Sequence, residues 1–193
     1  VCCVTGSEKS PPGGETALMT ASRTGVADIV NLLLAHGADP NAKESLRGQT
    51  ALMWAAAEGH ADVVEALVEI GANLKAASKN GFSPLVFAVT KNSVPSIKAL
   101  VAAGADPNQP LASGSFPLVV AMSYRHTGAS LALLEGGANV DTRDRAGNAP
   151  LHVAAQQGDL EVVKALLVKR VDPNVRTPRS TAAAGARGGG GGF

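Results

Sequence analysis

One leucine recurs along this chain with a fixed beat, at Leu18, Leu52, Leu85, Leu118 and Leu151, spaced by 34, 33, 33 and 33 residues. A second landmark keeps the same period. Gly-Ala-Asp or Gly-Ala-Asn begins at Gly37, Gly71, Gly104 and Gly137, and a degenerate copy stands at Arg170-Val171-Asp172. Two independent markers in one register exclude coincidence. Units of this size are single supersecondary elements that cannot bury their own apolar face, so they must stack on one another. The 193 residues are therefore expected to form one continuous stack rather than two separate domains.

The local chemistry of one unit predicts two short helices and a turn. Thr50 offers a hydroxyl that can accept from an unpaired N–H of the first helical turn. Pro84, Pro117 and Pro150 fall at the first helical position, where a missing N–H loses nothing. The first helix ends at Gly25, Gly59 or Gly158, which permit a left-handed residue between the helices. Val63, Val64, Ala66, Leu67 and Val68 then supply the apolar stripe of a second helix. It stops at Gly71, and Ala72-Asn73 turns the chain into an extended hairpin. Aromatic residues are only 3% of the chain against 45% hydrophobic, so the core must be aliphatic. Ala55, Ala56, Ala88, Ala154 and Ala155 let first helices approach closely, and Trp54 and Phe87 read as packing between units.

The motifs resemble those of the ankyrin repeat. The best copies are Gly48-Gln49-Thr50-Ala51-Leu52-Met53-Trp54-Ala55-Ala56 with Gly59-His60, and Ala149-Pro150-Leu151-His152-Val153-Ala154-Ala155 with Gly158-Asp159. A tetratricopeptide array has a similar period but lacks the Gly-Ala-Asp-Pro-Asn turn. The resemblance implies an all-α repeat solenoid of stacked helix-turn-helix units joined by β-hairpin loops. It covers residues 14–177, with repeats at about 14–47, 48–80, 81–113, 114–146 and 147–177. It also implies that His152, in the Thr-Pro-Leu-His position, ties the stack together by hydrogen bonds.

The units are unequal. In the fourth, Phe116 occupies the N-cap slot without an oxygen to offer, a loss of about 1 kcal/mol. Arg125 fills the glycine slot between the helices, where a left-handed residue costs about 1–2 kcal/mol. Gly128 falls at the start of the second helix and weakens its first turn. Asn92, in the equivalent slot of the third repeat, tolerates that conformation better, and Pro95 in a first turn is harmless. Arg170 replaces the glycine that ends the other second helices. The fourth repeat is expected to be the softest.

Outside the repeats, residues 1–13 read as a linker or a degenerate preceding repeat, and residues 178–193 as a flexible Gly-rich tail. Terminal repeats usually carry polar outer faces. Here Ile29, Val30, Leu32, Leu33 and Leu34 at one end, and Val162, Val163, Leu166 and Leu167 at the other, look uncapped. With a start at Val1, this suggests a segment of a longer protein. The chain is expected to be monomeric unless those ends associate.

Composition bounds the remaining functions. Seventeen basic and sixteen acidic residues give a net charge of +1, which removes a whole-chain electrostatic case for nucleic acid. No apolar run reaches the length of a membrane span. A cytoplasmic location is the default, although a secretion signal would be missing from a truncated start. Cys2 and Cys3 are the two cysteines; adjacent and outside the repeats, they cannot staple the fold, and a lipidated cysteine is the less favoured reading. His36, His60, His126 and His152 are dispersed, without metal-ligand spacing. Gly188 to Gly192 after Arg187 lack the Lys-Ser/Thr of a phosphate loop and read as linker rather than an RNA-binding motif. Asp39, Asn73, Asp106, Asn139 and Asp172 recur because turns need them. No catalytic residue, metal or cofactor is expected.

Binding remains. The resemblance implies a non-enzymatic interaction module that takes a partner protein or peptide on a concave face of hairpin tips and first helices. Side chains that the repeat template does not require are the candidates there. They are Arg47, Glu58, Lys79, Phe82, Lys91, Tyr124, Arg145 and Gln157, with Arg23, Leu46 and Thr90 beside them. Phe82 and Tyr124 are the interface anchors by residue type, and Lys79 and Lys91 favour an acidic partner. Alternatively, Phe82 covers the hairpin base and Tyr124 fills space in the fourth repeat. A second functional reading makes the stack a regulatory or targeting segment of a larger enzyme or effector. A third makes it a structural spacer.

Overall fold

The structure, a computed structural model, describes residues 13–177. Residues 1–12 with Cys2 and Cys3, and residues 178–193 with Arg187 and the glycine run, lie outside the described residues. Those described form ten α-helices and no strand. The first helices of the five pairs are α1 (Ala17–Thr24), α3 (Ala51–Glu58), α5 (Pro84–Lys91), α7 (Pro117–Ser123) and α9 (Pro150–Gln157). The second helices are α2 (Ala27–Ala35), α4 (Ala61–Glu69), α6 (Val94–Ala102), α8 (Thr127–Glu135) and α10 (Leu160–Val168). Each helix packs on its own partner and on its counterpart in the adjacent pair, which makes two parallel rows. This is the all-α stack of helix-turn-helix units that the period implied.

The core runs along the seam between the rows. Leu18, Leu52, Leu85 and Leu118 are buried beside Leu67, Leu100, Leu133 and Leu166. Ala55, Ala56, Ala88 and Ala154 are fully buried, which lets neighbouring helix backbones come close. Ala155, in the last described unit, is exposed. Trp54 and Phe87 are half-buried, and the Arg23 guanidinium of the first unit lies 5.0 Å above the Trp54 ring.

Caps follow the chemistry of each slot. Thr16 and Thr50 accept from the N–H groups of Met19 and Met53, while Ser83 and Phe116 make no side-chain cap. Between the helices, Gly25, Gly59 and Gly158 take positive φ, as do Asn92 and Arg125 in the same slot. Arg170 adopts φ 62° where the other second helices are followed by glycine. The hairpins are turns rather than strand pairs. Each is closed by one or two backbone bonds, such as Glu44 N–H to Gln49 O at 3.0 Å and Ser78 N–H to Phe82 O at 3.0 Å. They are too short for a ladder.

The structure adds detail to two expectations. Gly128 is a spacing residue, since a Cβ there would come within 2.9 Å of Val94 Cγ2. The first turn it opens is capped from the preceding repeat, where Asn92 Oδ1 accepts from Ala129 N–H at 2.9 Å. The end helices are also less bare than their composition suggested. Val30, Val162 and Leu166 are buried, Leu33, Leu34 and Val163 are half-buried, and Val26, Ile29 and Leu32 at one end and Leu160, Leu167 and Val168 at the other are exposed.

Candidate protein-interaction surface

The side chains that the core does not need fall on two edges of the stack, the hairpins and the turns between paired helices. At the turns they knit adjacent repeats. His60 Nε2 donates to Arg23 O at 3.0 Å, Ser93 Oγ to Gly59 O at 3.5 Å, and Thr127 Oγ1 to Asp159 Oδ2 at 2.5 Å. His126 Nδ1 donates to Val89 O at 2.9 Å. A carbonyl partner can only accept, which fixes the proton on the named nitrogen of each histidine. His152 behaves differently from what the resemblance implied. Its Nδ1 accepts from Ala149 N–H at 3.3 Å, within its own first turn.

At the hairpins, acidic groups build the turns. The buried Glu44 carboxylate accepts from the N–H groups of Leu46, Arg47 and Gln49 at 2.6–2.9 Å. Burial opposes its charge, but those donors and the Lys79 ammonium outweigh it and hold the carboxyl below its ordinary range. Asp144 plays the same part, with donors from Ala146 N–H, Asn148 N–H and Asn148 Nδ2 at 2.8–2.9 Å. Burial again opposes the charge and the Asn148 side chain and local N–H groups prevail, so this pKa is lowered too. Asp39, Asn73, Asp106, Asn139 and Asp172 each accept from the N–H two residues on. These are the turn bonds expected of them.

The predicted surface residues divide into three kinds. Arg47 and Arg145 are exposed on hairpins, and Lys79 is exposed with its Nζ donating to Ser45 O of the preceding hairpin at 2.5 Å. Tyr124 is 60% exposed and stacks on His126 with ring centroids 5.6 Å apart, so it does not fill space inside the fourth repeat. Lys91 and Glu58 face each other at 3.9 Å and partly cancel. Phe82 is half-buried edge-on against Phe87 at 5.8 Å, a hairpin cover rather than an open anchor. Gln157 is half-buried too. Its Nε2 donates to Met122 O at 2.7 Å and its backbone carbonyl accepts from the Arg125 guanidinium at 3.0 Å. It is a strut between the fourth and fifth repeats.

Sequence reasoning missed one feature of this edge. A groove of about 400 Å³ lies between α7 and the next hairpin, lined by Ser115, Val119, Ser123, Asp144, Arg145 and Ala146. Only Arg145 in it departs from the template by charge, and a groove between two chain segments has no signature within either. Among the described residues no three His, Cys, Asp or Glu side chains converge to hold a metal ion. No helix there is long and apolar enough to cross a membrane.

A family model for ankyrin repeats, in three copies, matches residues 18–111 and again residues 85–177. The two matches span most of the chain. It belongs to the ankyrin-repeat family, whose general role is to bind other proteins. None of the curated proteins matches the chain.

Proposed function

We propose that the chain is a non-enzymatic interaction module that holds a partner protein or peptide against its concave side, along the hairpin tips and first helices. One observation carries the reading. Arg47, Lys79, Tyr124 and Arg145 are exposed on the hairpins and at the end of a first helix, at positions where neither the core nor the turns require them. Aromatic and arginine side chains placed so are the usual anchors of protein interfaces. The groove beside Val119 and Arg145 adds a recess open to an extended segment. On the inter-helix edge His60, Ser93, His126 and Thr127 are engaged in tying repeats together, and Tyr124 stands exposed beside them at the end of α7.

The test is capture on the immobilised full chain against a variant with Arg47, Lys79, Tyr124 and Arg145 replaced by alanine. Matching helical circular dichroism and melts must come first. A protein retained by the wild type and lost by the variant supports the module. Identical captured sets, or two empty ones, contradict it.

A further inference from the structure

The near-neutral chain conceals a separation of charge. The hairpin segments 42–49, 75–82 and 142–148 with Arg176 carry Lys43, Arg47, Lys75, Lys79, Arg143, Arg145 and Arg176, all exposed. Within the same segments stand two carboxylates, Glu44 and Asp144, both turned inward onto backbone N–H groups. The exposed Asp39, Asp106, Asp141 and Asp172 stand before them at the hairpin bases, Asp141 in the register of Lys75. The second helices carry the opposite sign. Asp28, Asp62, Glu65, Glu69, Glu135 and Glu161 share those helices with Lys98 and Lys164, both already paired, with Glu135 at 2.8 Å and Glu161 at 3.0 Å. Lys169 and Arg170 follow directly at the end of α10.

No hairpin cation makes an ion pair among the described residues. Lys43, Lys79 and Arg143 donate to carbonyls instead, of Ala77, Ser45 and Gly147. A carbonyl orients the group without neutralising it. The charged heads of Arg47, Lys75 and Arg145 have no polar partner among the described residues. Cations held in a row at one edge, with counter-charge on the opposite row of helices, attract an anionic chain over roughly a Debye length of ~8 Å.

We infer that the hairpin edge binds an extended acidic segment of a partner protein. This rests on the interaction reading above and names the chemistry of the partner. Two basic clusters, around Lys43–Lys79 and Arg143–Arg176, flank the uncharged hairpin of Leu111, Ala112 and Ser113. At about 10 Å per stacked helix, the first and fourth hairpins stand roughly 30 Å apart, the reach of about nine extended residues. The segment carries carboxylates at both ends and a neutral centre that lies over Val119.

The probe is a fluorescein-labelled peptide of about twelve residues, acidic at both ends and neutral between, titrated with the full chain by fluorescence anisotropy. Controls are the same peptide with glutamine for glutamate and a single-stranded oligonucleotide. The chain variants are Arg47→Gln, Lys75→Gln and Arg145→Gln together, and Lys98→Gln with Lys164→Gln on the opposite face. The acidic peptide binds the wild type and weakens with added salt. The hairpin variant loses about tenfold in affinity, or ~1.4 kcal/mol, and the second-helix variant binds as wild type. Equal binding of the glutamine peptide, no loss in the hairpin variant, or tighter binding of the oligonucleotide overturns the inference. So does an absence of peptide binding at low salt. If the capture experiment still finds a partner lost with Tyr124, the interaction module stands and only the acidic assignment falls.

Discussion

At the scale of single residues, the stack is decided by a few polar groups and one backbone conformation. Glu44 organises its hairpin through three neighbouring N–H groups. Glu44→Gln turns an amide donor against one of them and is expected to cost about 1–2 kcal/mol near neutrality by urea unfolding. The folded pKa lies below the ordinary value of 4.5. Its stabilisation is therefore complete above that value and drains as pH falls through the folded pKa. The gap between variant and wild type should narrow as pH falls below 4.5 and through the lowered folded pKa, and a gap unchanged with pH contradicts the role of the charge. Arg125 sits at φ 58°. Arg125→Gly relieves about 1–2 kcal/mol of left-handed strain and forfeits the bond to Gln157, worth about 0.5–1.5 kcal/mol. A slightly higher urea midpoint is expected; a lower one means that the strut outweighs the strain.

At the scale of elements, the rows are not uniform. Packing between first helices is extensive along α1, α3 and α5 and thins towards α7 and α9. Helix α7 is the shortest, with seven residues, and its N-cap Phe116 makes no side-chain bond. Among the internal repeats, α7 amides should therefore exchange with deuterium faster than those of α3 and α5. Protection of α7 equal to α3 contradicts this. Phe116, Arg125 and Gly128 were legible as defects because each departs from a slot that the period defines. Their compensation was not legible. Asn92 reaches Ala129 and Arg125 reaches Gln157 across 37 and 32 residues, and only the geometry of the folded turns brings those atoms together. The half-burial of Gln157 was hidden for the same reason, since its partners Met122 and Arg125 lie in the preceding repeat, and that of Phe82 depends on its packing against Phe87.

At the scale of the whole molecule, the fold was legible almost entirely, because a strict period fixes both the unit and its neighbour. The surface was legible only as residue types. A net charge of +1 gives no sign that exposed cations gather at the hairpin tips while the tip carboxylates, Glu44 and Asp144, are drawn into the turns. Val26, Ile29 and Leu32 at one end and Leu160, Leu167 and Val168 at the other are exposed, with Leu32 at 61% and Val168 at 83% the most exposed of each set. A monomer is expected in sedimentation velocity. Leu32→Lys with Val168→Lys should then sediment as wild type and melt within about 0.5 kcal/mol of it; a dimer that the pair abolishes contradicts this. The central claim is that partners are held on the hairpin side. Hydrogen exchange of the full chain, with and without the captured partner, tests it most directly. The account predicts new protection at residues 43–47, 75–82 and 143–146, with α4, α6 and α8 unchanged. Protection confined to the second helices would contradict it.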